Sequence, residues 1–516
     1  MLLPWEHVPT SALDQQVFEA LIPADHYLRR VKTILDFEAL RPILAKCYPS
    51  TTGRPAVEPV LLLKLEFLEY HYNLSDRDVI KEAQVNVAFR FFLDLSLYSE
   101  LPHHTLLTYF RERLGPEQHR RVFDAVVSRG RQHGLVKDRL RLKDATHLIA
   151  NIAIPSTVRL LAQTREELLA ALRPYAPERV AEEEARAASI RTTTADLSGK
   201  ERMLQRVTHL RSIVAWVEDL VARGNPKGIE EPAWWTLTEA LQQAHKILAD
   251  REPKATDQLV SFQDPDARRG DHGGAYVGFL LDVAMDADSE FITVLNVLPA
   301  SGNEVKDATT LIKQEEQAHG NDVQALSIDG LGFRGEQLRE WTDPKGLNLE
   351  VFVPPRKETA PTGFTVDQFT LDPTGQTMTC PAGQTSTRRL RNTHDTGWQY
   401  RFAHKTCAAC PLLQQCMAKL PATTGRQVST NDYAAEYAAA RAKAQTPAYR
   451  EVRKRHRQVE RKLSEMVRWH RARRARYRGG SRVLIQALLT GLVVNVKCLI
   501  RSLTAPKVRA EVAIGS

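Results

Sequence analysis

Three acidic side chains stand where the surrounding pattern predicts apolar or ligand-binding residues. Asp144 lies in the middle of a predicted strand, between apolar neighbours. Asp329 ends the mostly apolar run 325–328, at the C-terminal tip of another predicted strand, which is the edge of an α/β sheet where ligands usually bind. Glu460 borders the apolar, core-facing stripe of a predicted helix, so we expect its carboxylate to be partly buried.

Carboxylates that meet from separate elements supply the oxygen ligands that Mg²⁺ prefers. Two such ions, about 3.5–4 Å apart, cleave a phosphodiester by bracketing the attacking and leaving oxygens. A metal would also neutralise a partly buried carboxylate, which is otherwise costly. The simpler alternative is that all three are ordinary surface or turn acids among the 62 in the chain, with Glu460 paired to Arg457 or Arg453.

The net charge of +9 is concentrated in one segment. Residues 450–478 contain 13 Lys or Arg and three Glu, so the rest of the chain is close to neutral. A concentrated basic segment is typical of a phosphate-binding surface, whereas an ordinary solvated helix face is the usual alternative. We expect this segment, with Arg453, Arg457, Arg461, Arg468, Arg471 and Arg474, to contact nucleic acid.

Four of the six cysteines are clustered within 37 residues: Cys380, Cys407, Cys410 and Cys416. One C-x-x-C with two further thiols suits tetrahedral Zn²⁺ in a structural role. The segment is poor in apolar residues, so a metal would compensate for a small core. An iron–sulfur cluster and unmetallated thiols remain the alternatives.

The pattern along the chain predicts an α/β fold with insertions. Five strands at 135–151, 276–284, 291–299, 323–329 and 349–353, the second and third forming a hairpin, are compatible with a ribonuclease-H-like mixed sheet. A long basic helix is expected from about residue 434 to 470. The expected units are a helical N-terminal unit (1–130), a catalytic core (135–156 and 259–355), a helical insertion (157–258), a loop-rich cysteine-containing insertion (356–425), and a basic helix with an apolar core helix (426–516). The N-terminal unit is predicted either to bind DNA in a helix-turn-helix-like manner or to be a small scaffold.

Nothing in the composition points to export or to a membrane. Residues 1–10 lack the basic start and apolar run of a signal peptide. The longest apolar stretch, 483–496, is short and includes polar residues, which indicates a buried core helix. We therefore expect a cytoplasmic protein.

Several motifs occur in a specific order along the chain. They are TTGRPAVEPVLLLKLEFLEYHYNLSDRDVIKEAQVNVAFRFFLDL (51–95), KDATHLIAN (143–151), DPDAR (264–268) followed by YVG (276–278), SIDGLGF (327–333), RQVERKL (457–463) and RRARYRGGSRVLIQALLTGLVVNVK (473–497). In this order they resemble the DDE transposases of bacterial insertion sequences, in a branch with a cysteine-containing insertion.

This resemblance implies catalytic, metal-binding roles for Asp144, Asp329 and Glu460. It implies two Mg²⁺ ions, with Mn²⁺ as a substitute, which activate water to cut the end of an element before the freed 3′-OH attacks target DNA. It also implies double-stranded terminal inverted repeats and target DNA as partners, a homodimer on DNA, and a nucleoid-associated bacterial location. The chain departs from the family pattern in two places: Gly330–Phe333 is one residue longer than the usual motif, and Val467 stands where a lysine is common.

Two other functions are compatible with part of this pattern. A catalytically silent repressor derived from a transposase would keep the basic segment and the N-terminal helices without needing the acids. A nuclease without strand transfer would need the acids as well. The presence of all three acids favours catalysis.

Overall fold

A mixed β-sheet lies at the centre of the protein. The computed structural model describes residues 10–48, 56–226, 230–356, 363–394, 396–417 and 423–504. Residues 1–9, where no signal peptide is expected, lie outside the described residues. The central strands are β1 (Arg141–Ile149), β2 (Arg268–Asp271), β3 (Ala275–Asp286), β4 (Ile292–Pro299), β5 (Ala325–Ser327) and β6 (Glu350–Phe352).

Strand β1 is the middle of this sheet. It pairs antiparallel with β3 on one side and parallel with β5 on the other, and β5 pairs parallel with β6. Strands β2 and β4 pair antiparallel with successive parts of β3. The arrangement is a mixed α/β sheet, and it confirms the predicted β3–β4 hairpin and the predicted strands around Asp144, before Asp329 and at 349–353.

Helices surround the sheet and form the insertions. The N-terminal helices are α1 (Ala12–Leu21), α2 (Tyr27–Ile34), α3 (Arg41–Ala45), α4 (Pro59–His71), α5 (Asp76–Val85), α6 (Val87–Phe92) and α7 (Thr105–Gln132). Between β1 and β2 lie α8 (Thr157–Leu172), α9 (Pro177–Thr193), α10 (Gly199–Ala222) and α11 (Glu231–Ala249). Helices α12 (Glu304–His319) and α13 (Gly335–Thr342) flank β5.

Alternation along β1 sends its side chains to two different layers. Arg141 and Lys143 point away from the basic helix and are fully buried. Arg141 Nη2 contacts Glu315 Oε1 of α12 at 2.6 Å, and Lys143 Nζ donates to the backbone oxygen of Glu304 at 2.7 Å. These bonds hold β1 against α12, so Asp144, the residue after Lys143, is carried on a rigid strand and faces the other layer.

The insertion between β1 and β2 has its own apolar core. Leu160, Leu168, Val214, Leu237 and Ile247 belong to one buried cluster drawn from α8, α10 and α11. This explains how a highly charged segment of the chain stays folded: each helix buries one stripe and leaves its charges in solvent.

The cysteine-containing segment is less irregular than its sequence indicates. It contains the paired strands β7 (Thr370–Leu371) and β8 (Met378–Thr379), a sheet of β9 (Arg388–Arg391), β10 (Trp398–Arg401) and β11 (Gln427–Ser429), and the short helices α14 (His404–Ala408) and α15 (Leu413–Cys416). The predicted loop-rich insertion is therefore a small β-rich unit, whose strands are too short to show a clear alternation.

The predicted long basic helix over 434–470 is wrong in one respect, because the structure has two helices, α16 (Ala434–Ala444) and α17 (Pro447–Trp469). Thr446 accepts from the Tyr449 N–H as the N-cap of α17, and Pro447 occupies its first turn. A proline fits at a helix start because that N–H has no intrahelical partner.

The last helix, α18 (Gly480–Thr504), is the one helix of the described residues that is long and apolar enough to span a membrane. Its most apolar window is 89% buried inside the protein, so it serves as a core helix here. It packs against α4, α7 and β4. Asn495 fixes it to β4: Asn495 Oδ1 accepts from the Ile292 N–H at 2.8 Å, and Asn495 Nδ2 donates to the Ile292 oxygen at 2.7 Å.

Candidate active site

Asp144 is a half-buried carboxyl in the middle of β1. Burial raises its pKa from 3.8 to about 6, opposed by a hydrogen bond from the Ala145 N–H and reinforced by the nearby charges of Glu304 and Asp329. The charged form of Asp144 is therefore poorly compensated in the protein alone. A cation beside it would remove that penalty.

Asp329 follows β5 directly, as the sequence predicts. It is the N-cap of a short 3₁₀ helix, and its Oδ1 accepts from the Leu331 N–H at 3.1 Å. Because β5 is the parallel neighbour of β1, and because the charge of Asp329 acts on the pKa of Asp144, the two carboxyls share one edge of the sheet.

Glu460 lies on α17, and its side chain is exposed. The expectation of a partly buried carboxylate is therefore wrong. The apolar stripe beside it, which includes Val459 and Leu463, is buried. Glu460 lies just outside the boundary of this stripe, on the solvent-facing side of the helix. An exposed carboxylate remains reachable for a bound substrate.

The side chain of Arg453 interacts electrostatically with the three acids. Burial lowers the pKa of its guanidinium, against the opposing charge of Tyr449 and then of three carboxylates, those of Asp329, Glu460 and Asp144. Arg453 stands seven residues before Glu460, which is two helical turns, so both side chains are on the same face of α17. The charges of all three sequence-predicted acids therefore act on this one guanidinium.

Two contacts hold α17 to the tip of β5. Arg453 Nη1 donates to the Ile328 oxygen at 2.8 Å and to Ser327 Oγ at 3.2 Å. His456 Nδ1 lies 3.1 Å from the same hydroxyl, and burial lowers the pKa of this imidazole to about 3, so the ring is neutral. Together these bonds place the helix of Glu460 next to the strand end that carries Asp329.

Two further residues of this region were not predicted from the sequence. Glu304, the buried first residue of α12, raises the pKa of Asp144 through its charge. Arg473 donates from Nη1 to the His147 oxygen at 2.7 Å and to Thr146 Oγ1 at 3.1 Å, so it binds β1 two residues beyond Asp144. Only their position in the fold reveals them, since an acid in a first helical turn and an arginine in a basic run are both common.

No group of three or more His, Cys, Asp or Glu side chains within the described ranges is arranged closely enough to hold a metal ion. The hard oxygen donors of Asp144, Asp329 and Glu460 nevertheless suit Mg²⁺ in kind.

The predicted DNA-contacting arginines fall into two groups. Arg453 is anchored on the strand end, and Arg461 Nη2 contacts Glu290 Oε1 at 3.1 Å. The other four are exposed and form no ion pair with another described residue: Arg457, Arg468, Arg471 and Arg474. These four leave positive charge available to an external anion.

An open groove joins the basic segment to the N-terminal helices. Arg471 and Arg474 line one side, and Arg77, Lys81 and His104 line the other, at the start of α5 and before α7. Acidic residues of α5 line it as well, so the groove is mixed in charge. The N-terminal helices and the segment after α17 therefore present one continuous surface.

The four clustered cysteines also come together. Cys380, Cys407, Cys410 and Cys416 line the same small cavity, although they are spread over 37 residues. Cys47 and Cys498 do not line it.

Comparison with known families gives two matches. Residues 16–113 match a family described as Transposase domain (DUF772), and residues 379–500 match a family described as Transposase DDE domain. The second match includes Glu460 and all four clustered cysteines. No solved structure matches the chain.

Proposed function

We propose, since this chain belongs to the DDE-type transposases of insertion-sequence type, that it cuts the ends of such an element and joins them to target DNA by two-metal-ion chemistry. The observation that supports the proposal is that the charges of Asp144, Asp329 and Glu460 all act on the guanidinium of Arg453, which is bound to the tip of β5. Each acid comes from a different element, namely β1, the tip of β5 and α17.

The order and directions of the strands support a ribonuclease-H-like core. From β2 and β4, which pair with successive parts of β3, the order runs through β3 and β1 to β5 and β6, with β1, β5 and β6 parallel and the others antiparallel. We also propose that residues 157–258 and 356–425 are separate units inserted into this core, as the sequence predicts. The helices before residue 130 pack into one core with α18 and the sheet.

Asp144, Asp329 and Glu460 would hold two Mg²⁺ ions, or Mn²⁺ in their place. Bound there, such ions would lower the pKa of an attacking water and would stabilise the charge that develops on the phosphoryl oxygens. Arg453 holds the helix of Glu460 in place and offsets the charge of the acids before a metal binds. Arg457 and Arg468 face solvent on the same helix, where a DNA phosphate can reach them.

Double-stranded DNA is the proposed partner, both as terminal inverted repeat and as target. The groove between α5 and Arg471–Arg474 supports a contact that spans the N-terminal helices and the basic segment. We further propose that the protein acts as a homodimer, because the two ends of an element must be cut together, and that it acts at the bacterial nucleoid.

The test measures cleavage and binding separately. The substrate is a duplex that ends in the inverted repeat flanking the coding sequence, with Mg²⁺ present. Asp144→Ala, Asp329→Ala and Glu460→Ala should each abolish cleavage and leave the affinity for the duplex unchanged, since one lost ligand removes most of the charge stabilisation. Glu451→Ala is the matched control for Glu460, because Glu451 is an exposed acid on the same helix that pairs with Lys454.

Three outcomes contradict the proposal in different ways. Wild-type cleavage in one acid variant removes that residue from the site. Binding without cleavage by the wild-type protein indicates a repressor. Cleavage without joining to a second duplex indicates a nuclease.

A further inference from the structure

The cysteine-containing unit has little apolar material with which to hold itself together. Its buried cluster consists of Phe369, Met378, Tyr400, Phe402 and Val428. These five side chains serve a segment of about 60 residues whose strands are two to four residues long. A core of this size rarely stabilises such a unit alone, and natural examples add a metal or disulfides.

The four thiols are placed around one space in this unit. The cavity that they line together offers about 30 Å³ to a guest of the size of a water molecule, which is room for a single ion and not for an organic ligand. Its other walls are Phe369, Phe402, Leu413 and Met417 together with Gln384, Thr406 and Arg426, and the surface that faces the cavity is almost entirely apolar, so sulfur is the main donor there.

The backbone around the first three thiols forms turns that aim them at this space. The Gly383 N–H donates to the Cys380 oxygen at 2.8 Å, and Gly383 has φ +76°, a conformation that glycine adopts at little cost. The Cys410 N–H donates to the Cys407 oxygen at 3.2 Å, closing the C-x-x-C turn.

A backbone donor is already directed at one of the sulfurs. The Arg426 N–H donates to Cys407 Sγ at 3.3 Å. A neutral thiol is only a weak acceptor, whereas a metal-bound thiolate is stabilised by such outer hydrogen bonds. The contact therefore suits a bound thiolate better than a free thiol.

We infer that Cys380, Cys407, Cys410 and Cys416 bind one Zn²⁺ ion that holds this unit together. Four thiolates leave no open position on the metal, so the ion cannot activate water and takes no part in catalysis. In the described residues the sulfurs are not yet as close as a bound ion requires. Binding draws them together, and their positions on turns and short helices, rather than in the sheets, leave room for this adjustment.

The cysteine-containing unit is connected to α17, the helix that carries Glu460, by a short stretch of chain. Strand β11 leads directly into residues 431–433 and α16, which precedes α17. Arg391 Nη2 contacts Asp432 Oδ2 at 3.1 Å, and the Asp432 N–H donates to the Thr396 oxygen at 2.8 Å. Loss of the metal should loosen the unit first and then the start of α16.

The test uses the full chain purified without chelator. Elemental analysis should find one equivalent of zinc, and Co²⁺ exchanged into the protein should give the absorption of a tetrahedral thiolate site. Cys407→Ser and Cys410→Ser should each lose the metal and become sensitive to protease within 363–417, while the rest of the chain stays resistant. Cys47→Ser is the matched control and should keep a full equivalent, because Cys47 does not line the cavity.

If the serine variants do not fold, the wild-type protein still decides the matter. Its four thiols should react slowly with a thiol reagent until a chelator is added. Less than a tenth of an equivalent of metal, with all four thiols reacting freely from the start, would show that they are unmetallated and would overturn the site. Iron with inorganic sulfide would also overturn the zinc site.

Discussion

Replacement of Asp144 by Asn should make the metal-free protein more stable while removing its response to Mg²⁺. Burial holds the pKa of Asp144 at about 6 in the folded chain against 3.8 for the free side chain. A carboxyl with a raised folded pKa destabilises the fold where it must be charged. The penalty is absent below about pH 4, grows as the pH rises to about 6 and is complete above that.

The size of the penalty follows from the two pKa values. A difference of about two units corresponds to about 3 kcal/mol at pH 7.5, as an upper value for a half-buried group. With an unfolding entropy of about 2.1 cal/mol/K per residue, this shifts the midpoint of thermal unfolding by about 3 °C if the chain unfolds as one unit. Mg²⁺ at ten times its Kd should add about 1.4 kcal/mol to the wild type.

The assay is thermal unfolding at pH 7.5 and pH 4, with and without Mg²⁺. Asp144→Asn should raise the midpoint at pH 7.5, leave it unchanged at pH 4, and abolish the gain from Mg²⁺. Asp124→Asn is the matched control, because burial also raises the pKa of Asp124 on α7 to about 6. It should show the same pH-dependent gain and keep the response to Mg²⁺. A wild-type Mg²⁺ response in Asp144→Asn would refute the assignment of this residue to the metal site.

Three further predictions concern the surroundings of the site. Arg453→Gln should lower the cleavage rate about 10- to 100-fold, since hydrogen bonds from a charged group contribute about 1.5–3 kcal/mol. Arg453→Lys should recover part of the rate. A wild-type rate in the Gln variant would show that the bonds from Arg453 to Ser327 and Ile328 are dispensable. The combined change of Arg471 and Arg474 to Gln should reduce the slope of log affinity for DNA against log salt by about 0.9 per lost phosphate contact, whereas Gln at Arg211 on the helical insertion should leave the slope unchanged. Asn495→Leu should lower the free energy of unfolding by about 1–3 kcal/mol, because a backbone N–H and oxygen of β4 lose their partner; an unchanged value in chemical denaturation would show that the pair is satisfied elsewhere.

The parts of the fold that could be predicted are those with strong periodicity. The alternation of β1 and the apolar runs of β3 and β4 appear directly in the sequence, and the structure confirms them. The break between α16 and α17 was missed, although Thr446–Pro447 is a typical N-cap and first-turn pair. The strands of the cysteine-containing unit could not be predicted from the sequence, because they lack alternating apolar residues; β9, for example, is mostly arginine.

The three acids of the candidate site could be selected from the sequence, whereas the residues around them could not. Asp144 and Asp329 are recognisable because their strands are apolar. The role of Arg453 depends on where Ile328 lies in space, 125 residues earlier in the chain. The burial of Glu460 was overestimated because a helical stripe predicts which side of the helix is buried but not where its boundary falls.

The two ends of the chain depend on each other, and this has a consequence for how the protein is made. Helix α4 is buried along its whole length from Pro59 to Tyr70, and α18 is one of the helices that cover it. His470 and Arg476 also bind its last turn, at the Tyr70 oxygen and Glu69. During translation, the N-terminal helices must wait for more than 400 further residues before this apolar helix is covered. A premature stop before α18 should therefore leave the apolar surface of α4 uncovered and yield an aggregating fragment.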